Sequence, residues 1–221
     1  KPGSGSRATL QTLFHEASHQ FMSVAVGSVP SFVNEGIASL FEGIEILSNG
    51  NFRRDLPVPG RLAPLAQKLS RGTAMPLREV MNALENKPEL YDYRWGFMYF
   101  LRMYVDEQGQ YVFRDRLQDY MYEFKSAAPG DMVAHFQEFV LDHVKAPGIA
   151  SFADFERTWK AWILALEKER TEGDKRLDEF RNKGRLAWLK DSHAEALRFY
   201  ERALDLSADD LDSLFGSAQA L

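Results

Sequence analysis

The sequence predicts a mainly α-helical protein. Apolar residues recur at intervals of three and four over most of the chain, which is the spacing of an amphipathic helix, whereas the strict alternation of a half-buried strand is scarce. Glycine and proline interrupt the helical patterns and mark their ends. With 221 residues, 45% of them hydrophobic, the chain can bury a sizeable core, and its length allows one large domain or a large domain with a small one.

The chain opens with two helical patterns, near residues 8–26 and 31–47. Gly27 is the expected stop for the first pattern. A short extended piece at residues 24–29 is an alternative for the connection. The stretch 48–61 contains asparagine, glycine and proline and therefore predicts a loop. Shorter helical patterns follow near 63–71 and 76–86.

Longer amphipathic patterns occupy the middle of the chain. Glycine and proline separate them at Gly109, at residues 129–130 and at residues 147–148. In the last pattern, Phe155 and Trp159 fit a helix that closes over the core. The patterns lie near 91–107, 110–126, 131–144 and 152–169.

Residues 173–221 carry a different pattern of small and aromatic positions. Small residues let two helices approach closely, and an aromatic side chain fills the space between them. The spacing resembles the tetratricopeptide repeat: Leu214 stands 34 residues after Phe180, as the same position of a second repeat would, although Ala208 stands where proline is usual. A single helical hairpin can match this spacing by packing alone. The other matching positions are Gly184, Ala187, Ala196, Tyr200, Ala203 and Ala218.

We therefore expect a first domain over residues 1–172 and a repeat region over residues 173–221. The resemblance to the repeat implies a protein partner for the second region. Because one repeat cannot bury its own face, we also expect further repeats beyond this chain.

The motif His-Glu-x-x-His at residues 15–19 predicts a metal site. Positions four apart on a helix share one face, so His15 and His19 can bind one zinc ion with Glu16 beside it. A catalytic zinc site has three protein ligands and leaves one position to water. Glu35, 16 positions after His19, is the expected third ligand. Glu16 would then take a proton from the zinc-bound water, whose pKa the metal lowers to about 7.

The zinc motif and the segment at residues 30–38 together resemble the gluzincin metallopeptidases. The nearest likeness is to the small bacterial group called peptidase MA-like, in which a proline, an aromatic residue and Asn/Ser-Glu-Gly-x-Ala follow the zinc helix. This resemblance implies a zinc-dependent peptidase with one zinc ion per chain and a peptide or protein substrate. It implies His15, His19 and Glu35 as the zinc ligands. It also implies Glu16 as the general base.

The segment at residues 91–97 resembles a third part of the family, in which a tyrosine precedes a helix rich in small and aromatic residues. Related enzymes use such a phenol to donate a hydrogen bond to the oxyanion of the tetrahedral intermediate. We take Tyr91 as this residue and Tyr93 as the alternate. The competing interpretation is the start of a helix whose aromatic side chains belong to the core.

The sequence departs from the family pattern in three places. Ser39 stands where thermolysin-like members have the aspartate that orients a zinc histidine, which leaves Ser39 or Glu42 for that role. The Gly-x-Met-x-Asn segment of aminopeptidase N relatives is missing, so exopeptidase activity has no support. Gluzincins place a small β-sheet before the zinc helix, but only 14 residues precede His15. We therefore expect this chain to be a piece of a longer protein.

Composition narrows the range of partners. A net charge of −5 without a basic stripe argues against nucleic acid. No apolar run is long enough to span a membrane, and no signal peptide is visible. The absence of cysteine excludes disulfides and thiolate ligands but fits either redox compartment. The compartment therefore stays open, and the family resemblance slightly favours an exported bacterial protein, periplasmic or extracellular.

Two classes of function compete. The first is a zinc peptidase, and the second is a catalytically inactive gluzincin-like protein that binds partners through its repeats. An inactive relative has no chemical need for all three ligands and Glu16, which favours the enzyme, whereas Ser39 and the missing upstream strand argue against it. Hydrolysis of an ester or another amide is a third possibility, because a zinc hydroxide attacks these bonds as well.

Overall fold

The computed structural model describes residues 4–47, 50–125 and 130–221, and it confirms a mainly helical protein. The chain divides into two compact units between Leu164 and Ala165, whereas the sequence predicts a boundary at 172/173. The helices are α1 (Ser4–Ala25), α2 (Ser31–Phe41), α3 (Pro59–Ser70), α4 (Leu77–Asn82), α5 (Tyr91–Met103), α6 (Arg114–Tyr122), α7 (Met132–Phe136), α8 (Asp142–Val144), α9 (Phe152–Trp188), α10 (His193–Leu206) and α11 (Leu211–Ala220). Two strands, β1 (Glu45–Ile46) and β2 (Phe52–Arg53), form an antiparallel pair.

The helices α1 and α2 form a hairpin that carries the metal motif. Beyond the end of α1, Gly27 takes a positive φ of 98°, and its amide donates to the Met22 carbonyl at 3.0 Å. Pro30 then directly precedes α2. The return of α2 along α1 is visible in the hydrogen bond from Gln11 Nε2 to the Glu42 carbonyl at 3.2 Å. The hairpin therefore places the middle of α2 beside the zinc motif of α1.

Helix α2 also packs closely against α5. Gly36 makes this approach possible, since a Cβ at that position would lie 2.6 Å from Met98 Cγ and 2.9 Å from the Arg94 carbonyl oxygen. Most of α2 is buried between its neighbours, and Glu35 is buried with it. The helix thus holds a buried carboxylate one residue away from a close contact between two helices.

The core of the first unit is aromatic and is built from α5, α7 and the beginning of α9. Phe97 of α5 lies 5.1 Å from the rings of both Phe136 and Phe155. Phe155 and Trp159 are fully buried, and Trp162 packs on aromatic rings of α5. The start of α9 therefore closes over the core, as its sequence predicts.

Several boundaries near the hairpin differ from the predicted ones. Helix α2 ends at Phe41 rather than near residue 47, because the chain turns at Gly43, where a Cβ would lie 2.2 Å from the Leu56 carbonyl oxygen. Strands β1 and β2 take the place of the predicted helix end and of part of the predicted loop. The alternative of an extended piece at residues 24–29 is wrong, because α1 continues to Ala25.

Two later patterns also fold differently. The helix predicted near residue 110 begins at Arg114, because Val105 and Tyr111 first pair as an antiparallel bridge. The pattern predicted near 152–169 and the beginning of the repeat pattern that follows it form the single helix α9, which ends at Trp188. No proline or left-handed residue interrupts α9, so the expected break does not occur.

The second unit consists of the end of α9 with α10 and α11. Tyr200 of α10 fills the space between the helices: a Cβ at Gly184 would lie 2.8 Å from its ring, and one at Gly216 would lie 2.4 Å from it. Arg181 of α9 donates two hydrogen bonds to Asp210, whose side chain caps the N-terminus of α11. Glycines therefore allow the close approach that the tyrosine ring fills.

Apolar side chains are exposed on the face of α1 that points away from α2. Leu13, Phe21 and Val24 are 58%, 61% and 89% exposed, whereas Met22 on the opposite face is buried. In the part of the chain that the structure describes, no helix combines the length and the apolar character needed to cross a membrane.

Candidate metal centre

Three side chains of the α1–α2 hairpin converge on one point. The Nε2 atoms of His15 and His19 lie 3.4 and 3.6 Å from Oε2 of Glu35. The two imidazole rings are 4.9 Å apart and nearly perpendicular. One ligand atom from each residue lies within 4.8 Å of the other two. The structure thus brings together the three residues that the sequence predicts as ligands.

The converging atoms suit zinc in chemistry and in spacing. Zinc binds imidazole nitrogen and carboxylate oxygen at about 2.0–2.1 Å in a tetrahedral arrangement, for which two ligand atoms are about 3.3 Å apart. The separations of 3.4 and 3.6 Å are close to this value. Among the described residues, Oε2 of Glu35 is buried without a hydrogen-bond partner. A buried carboxylate oxygen is costly unless a cation or donor satisfies it, so these residues fit a zinc ion.

A second carboxylate, Glu42, contacts His15 on the ring nitrogen that does not face Glu35. His15 Nδ1 is 2.9 Å from Oε1 of Glu42, which leaves Nε2 directed at Glu35. Arg61 of α3 donates to both oxygens of Glu42, at 3.0 and 2.9 Å. Ser39 instead donates its hydroxyl to the backbone carbonyl of Glu35 at 2.8 Å. Of the two residues left open by the sequence, Glu42 therefore occupies the orienting position.

The other oxygen of Glu35 is held by residues that the sequence analysis did not identify. Asn86 Nδ2 donates to Glu35 Oε1 at 2.9 Å, and Asn86 Oδ1 accepts from Arg94 at 2.8 Å. Arg94 lies within the family-like segment at residues 91–97, which was a signal of its importance. Asn86 is 51 residues from Glu35 in the chain, and no local pattern marks it.

The surrounding charges favour a protonated His15 in the metal-free protein. The negative charge of Glu35, 3.4 Å from Nε2, and the hydrogen bond to Glu42 raise the pKa of His15 to about 9. Burial acts to raise the pKa of both carboxyl groups, but the neighbouring His15 and other nearby positive charges bring each pKa below its ordinary value. A metal ion at Nε2 has to displace the proton, so zinc binding is coupled to proton release.

Tyr91 lies beside the converging ligands, whereas Tyr93 does not. The rings of Tyr91 and His15 are 6.1 Å apart. Burial and the negative charge of Glu35 raise the pKa of Tyr91, so its hydroxyl stays protonated at neutral pH and can donate a hydrogen bond. Tyr93 is buried in the core, where its hydroxyl accepts from the Met75 amide at 3.0 Å. The geometry therefore favours Tyr91 of the two candidates.

Glu16, the predicted general base, is exposed on α1 directly after His15. It does not belong to the group of converging ligand atoms. Its side chain is therefore open to solvent.

Comparisons with protein-family models, with curated proteins and with solved structures found no match to this chain.

Proposed function

We propose that this protein is a zinc-dependent hydrolase of the gluzincin type that cleaves peptide bonds. The observation that carries the proposal is the convergence of His15, His19 and Glu35, with a buried and unpartnered carboxylate oxygen 3.4 and 3.6 Å from the two imidazoles. Structural zinc sites have four protein ligands, and the described residues offer three here. Zinc held in this way supplies Lewis acidity that activates water and polarises a scissile carbonyl.

Glu16 is the general base of the proposed reaction. It directly follows the ligand His15 on α1 and is exposed, and in this proposal its carboxylate lies within reach of a molecule bound at the site. The carboxylate accepts a proton from the attacking water and passes it to the leaving amine.

Two further residues complete the proposed machinery. Tyr91 donates a hydrogen bond from its protonated hydroxyl to the oxyanion that develops on the substrate. Glu42 acts through His15, whose imidazole it keeps in one orientation. Tyr91 thus acts on the substrate, whereas Glu42 acts on a zinc ligand.

The test combines metal analysis with a peptide-cleavage assay on the purified chain. We expect about one zinc ion per chain and hydrolysis of a mixed peptide library. Glu35→Ala should lose the zinc, whereas Glu16→Gln should keep it and lose hydrolysis. Glu45→Gln, on the β-hairpin, is the matched control and should resemble the wild type. A wild-type protein without zinc after incubation with the metal would refute the proposal.

Binding of a protein partner through the second unit is the second candidate function. We propose that this unit is a tetratricopeptide-like repeat. A cavity of about 680 Å³ in it is lined by charged and apolar side chains, and Phe215 at its edge is 66% exposed. If partner binding is the only function, the wild type should show no hydrolysis, and Glu16→Gln should not change the affinity for the partner. The residues that line the cavity include Arg181, Asn182, Arg185, Trp188 and Leu189.

A further inference from the structure

Resting on the proposed function, we infer that Asn86 is a positioning residue that restricts Glu35 to metal binding through one oxygen. Its amide occupies Oε1 of Glu35 and leaves Oε2 as the oxygen that faces the two histidines. A hydrogen-bond donor on one carboxylate oxygen favours monodentate coordination through the other oxygen.

The orientation of the Asn86 amide follows from its neighbours. Its Oδ1 accepts from Arg94 at 2.8 Å and also from the hydroxyl of Ser31. Because Arg94 can only donate, the oxygen of the amide has to face it, and the NH₂ group then points at Glu35. The contact with Oε1 is therefore a donated hydrogen bond of 2.9 Å, the polarity that a carboxylate requires.

Arg94 keeps the amide in place from inside the protein. Its side chain is completely buried, and it donates to the carbonyl oxygens of Ala83 and Glu85 at 3.3 and 2.9 Å. One guanidinium thus ties both the backbone before Asn86 and the Asn86 side chain to α5. The loop between α4 and α5 is held at a fixed distance from Glu35 as a result.

The contact acts on the metal site and not on the core. Asn86 is exposed, so its side chain contributes little to the packing of the first unit. With the amide removed, Oε1 is no longer engaged, and the carboxylate can turn so that both oxygens face the histidines. Partners of metal-binding residues typically change metal affinity by about 10–100-fold when they are removed.

The test compares Asn86→Ala with Asn82→Ala, which removes an amide at the end of α4 that contacts Arg78 and Asp131 instead. Zinc dissociation constants are measured by competition with a chelator, and absorption spectra are recorded with cobalt in place of zinc. We expect Asn86→Ala to weaken zinc binding at least tenfold and to alter the cobalt spectrum, which reports the number of ligand atoms. Asn82→Ala should change neither quantity.

Thermal unfolding of the metal-free proteins separates positioning from folding. We expect metal-free Asn86→Ala to unfold cooperatively at a somewhat lower temperature, because buried Arg94 loses one acceptor, and to be fully folded at the temperature of the zinc titration. If Asn86→Ala bound zinc as tightly as the wild type and gave the same cobalt spectrum, the inference would be wrong while the proposed function stood. If the wild type itself bound no zinc, both would fail together.

Discussion

Replacement of Glu42 by glutamine is the sharpest test of how the metal centre is supported. Oε1 of Glu42 accepts from His15 Nδ1 at 2.9 Å and from Arg61 at 2.9 Å, while Oε2 accepts from Arg61 Nε at 3.0 Å. Glutamine has the same shape but only one acceptor oxygen. If that oxygen replaces Oε1, its NH₂ group meets the donating Nε of Arg61. If the amide is reversed, His15 loses its acceptor.

The size of the effect follows from these contacts. A hydrogen bond to a charged group contributes about 1.5–3 kcal/mol. Glu42→Gln loses one such bond if its oxygen replaces Oε1 and two if the amide is reversed, since both His15 and Arg61 contact Oε1, and it leaves the charge of Arg61 only partly compensated. Since about 1.4 kcal/mol corresponds to a factor of ten in an equilibrium constant, zinc affinity should fall by about 10–100-fold, the range typical of residues that orient a metal-binding imidazole.

The assay is chelator competition for zinc, with Glu45→Gln as the control. Glu45 also pairs with an arginine, but its partner Arg53 is 3.5 Å away and the two side chains are partly exposed, 31% for Glu45 and 45% for Arg53. Such exposed pairs contribute about 0–1 kcal/mol, so the control should keep wild-type affinity. Equal zinc affinity in Glu42→Gln and Glu45→Gln would refute the argument that Glu42 supports the metal through His15.

Three other predictions follow from the structure. Because the pKa of His15 is raised to about 9, protonated His15 stabilises the metal-free protein fully below pH 6.5, and this stabilisation is lost as the pH rises to 9. Melting temperatures measured with a chelator present should fall over this pH range, whereas zinc affinity should rise. Tyr91→Phe should lower turnover without lowering the melting temperature, whereas Tyr93→Phe should lower the melting temperature. If Tyr91→Phe lowered turnover and melting temperature together, Tyr91 would be a packing residue of the core. Gly216→Ala should lower the free energy of unfolding of the second unit, measured in urea, by about 1–3 kcal/mol, because its Cβ would lie 2.4 Å from the Tyr200 ring. Gly173→Ala is the control: its Cβ would have no atom within 4 Å, so it should raise the free energy of unfolding by about 0.5–1 kcal/mol.

The ligand group was predictable because its geometry is local. His15 and His19 share a helix face by spacing alone, and a short turn at Gly27 returns α2 along α1, so Glu35 arrives beside them. The supporting residues were harder to find. Asn86 reaches Glu35 across 51 residues, and this contact depends on how α5 packs on α2.

The boundaries that differ from the sequence patterns have the same origin. Gly43 ends α2 because the carbonyl of Leu56 lies against it, and Leu56 belongs to a segment that the sequence predicts only as a loop. Helical periodicity describes one segment at a time and carries no information about such a neighbour. The mainly helical fold is therefore readable from the sequence, whereas helix ends fixed by tertiary contacts are not.

Replacement of Glu16 distinguishes a peptidase from a protein that uses zinc only for binding or structure. Either protein needs His15, His19 and Glu35, and either gains from carboxylates that orient them, so variants at those positions change metal content first and activity second. Glu16 is exposed and lies outside the ligand group, so its replacement by glutamine alters neither core packing nor the ligands. Loss of hydrolysis at constant zinc content and constant melting temperature can then only reflect the lost proton acceptor. Unchanged hydrolysis in that variant would instead assign the proton transfer to another group.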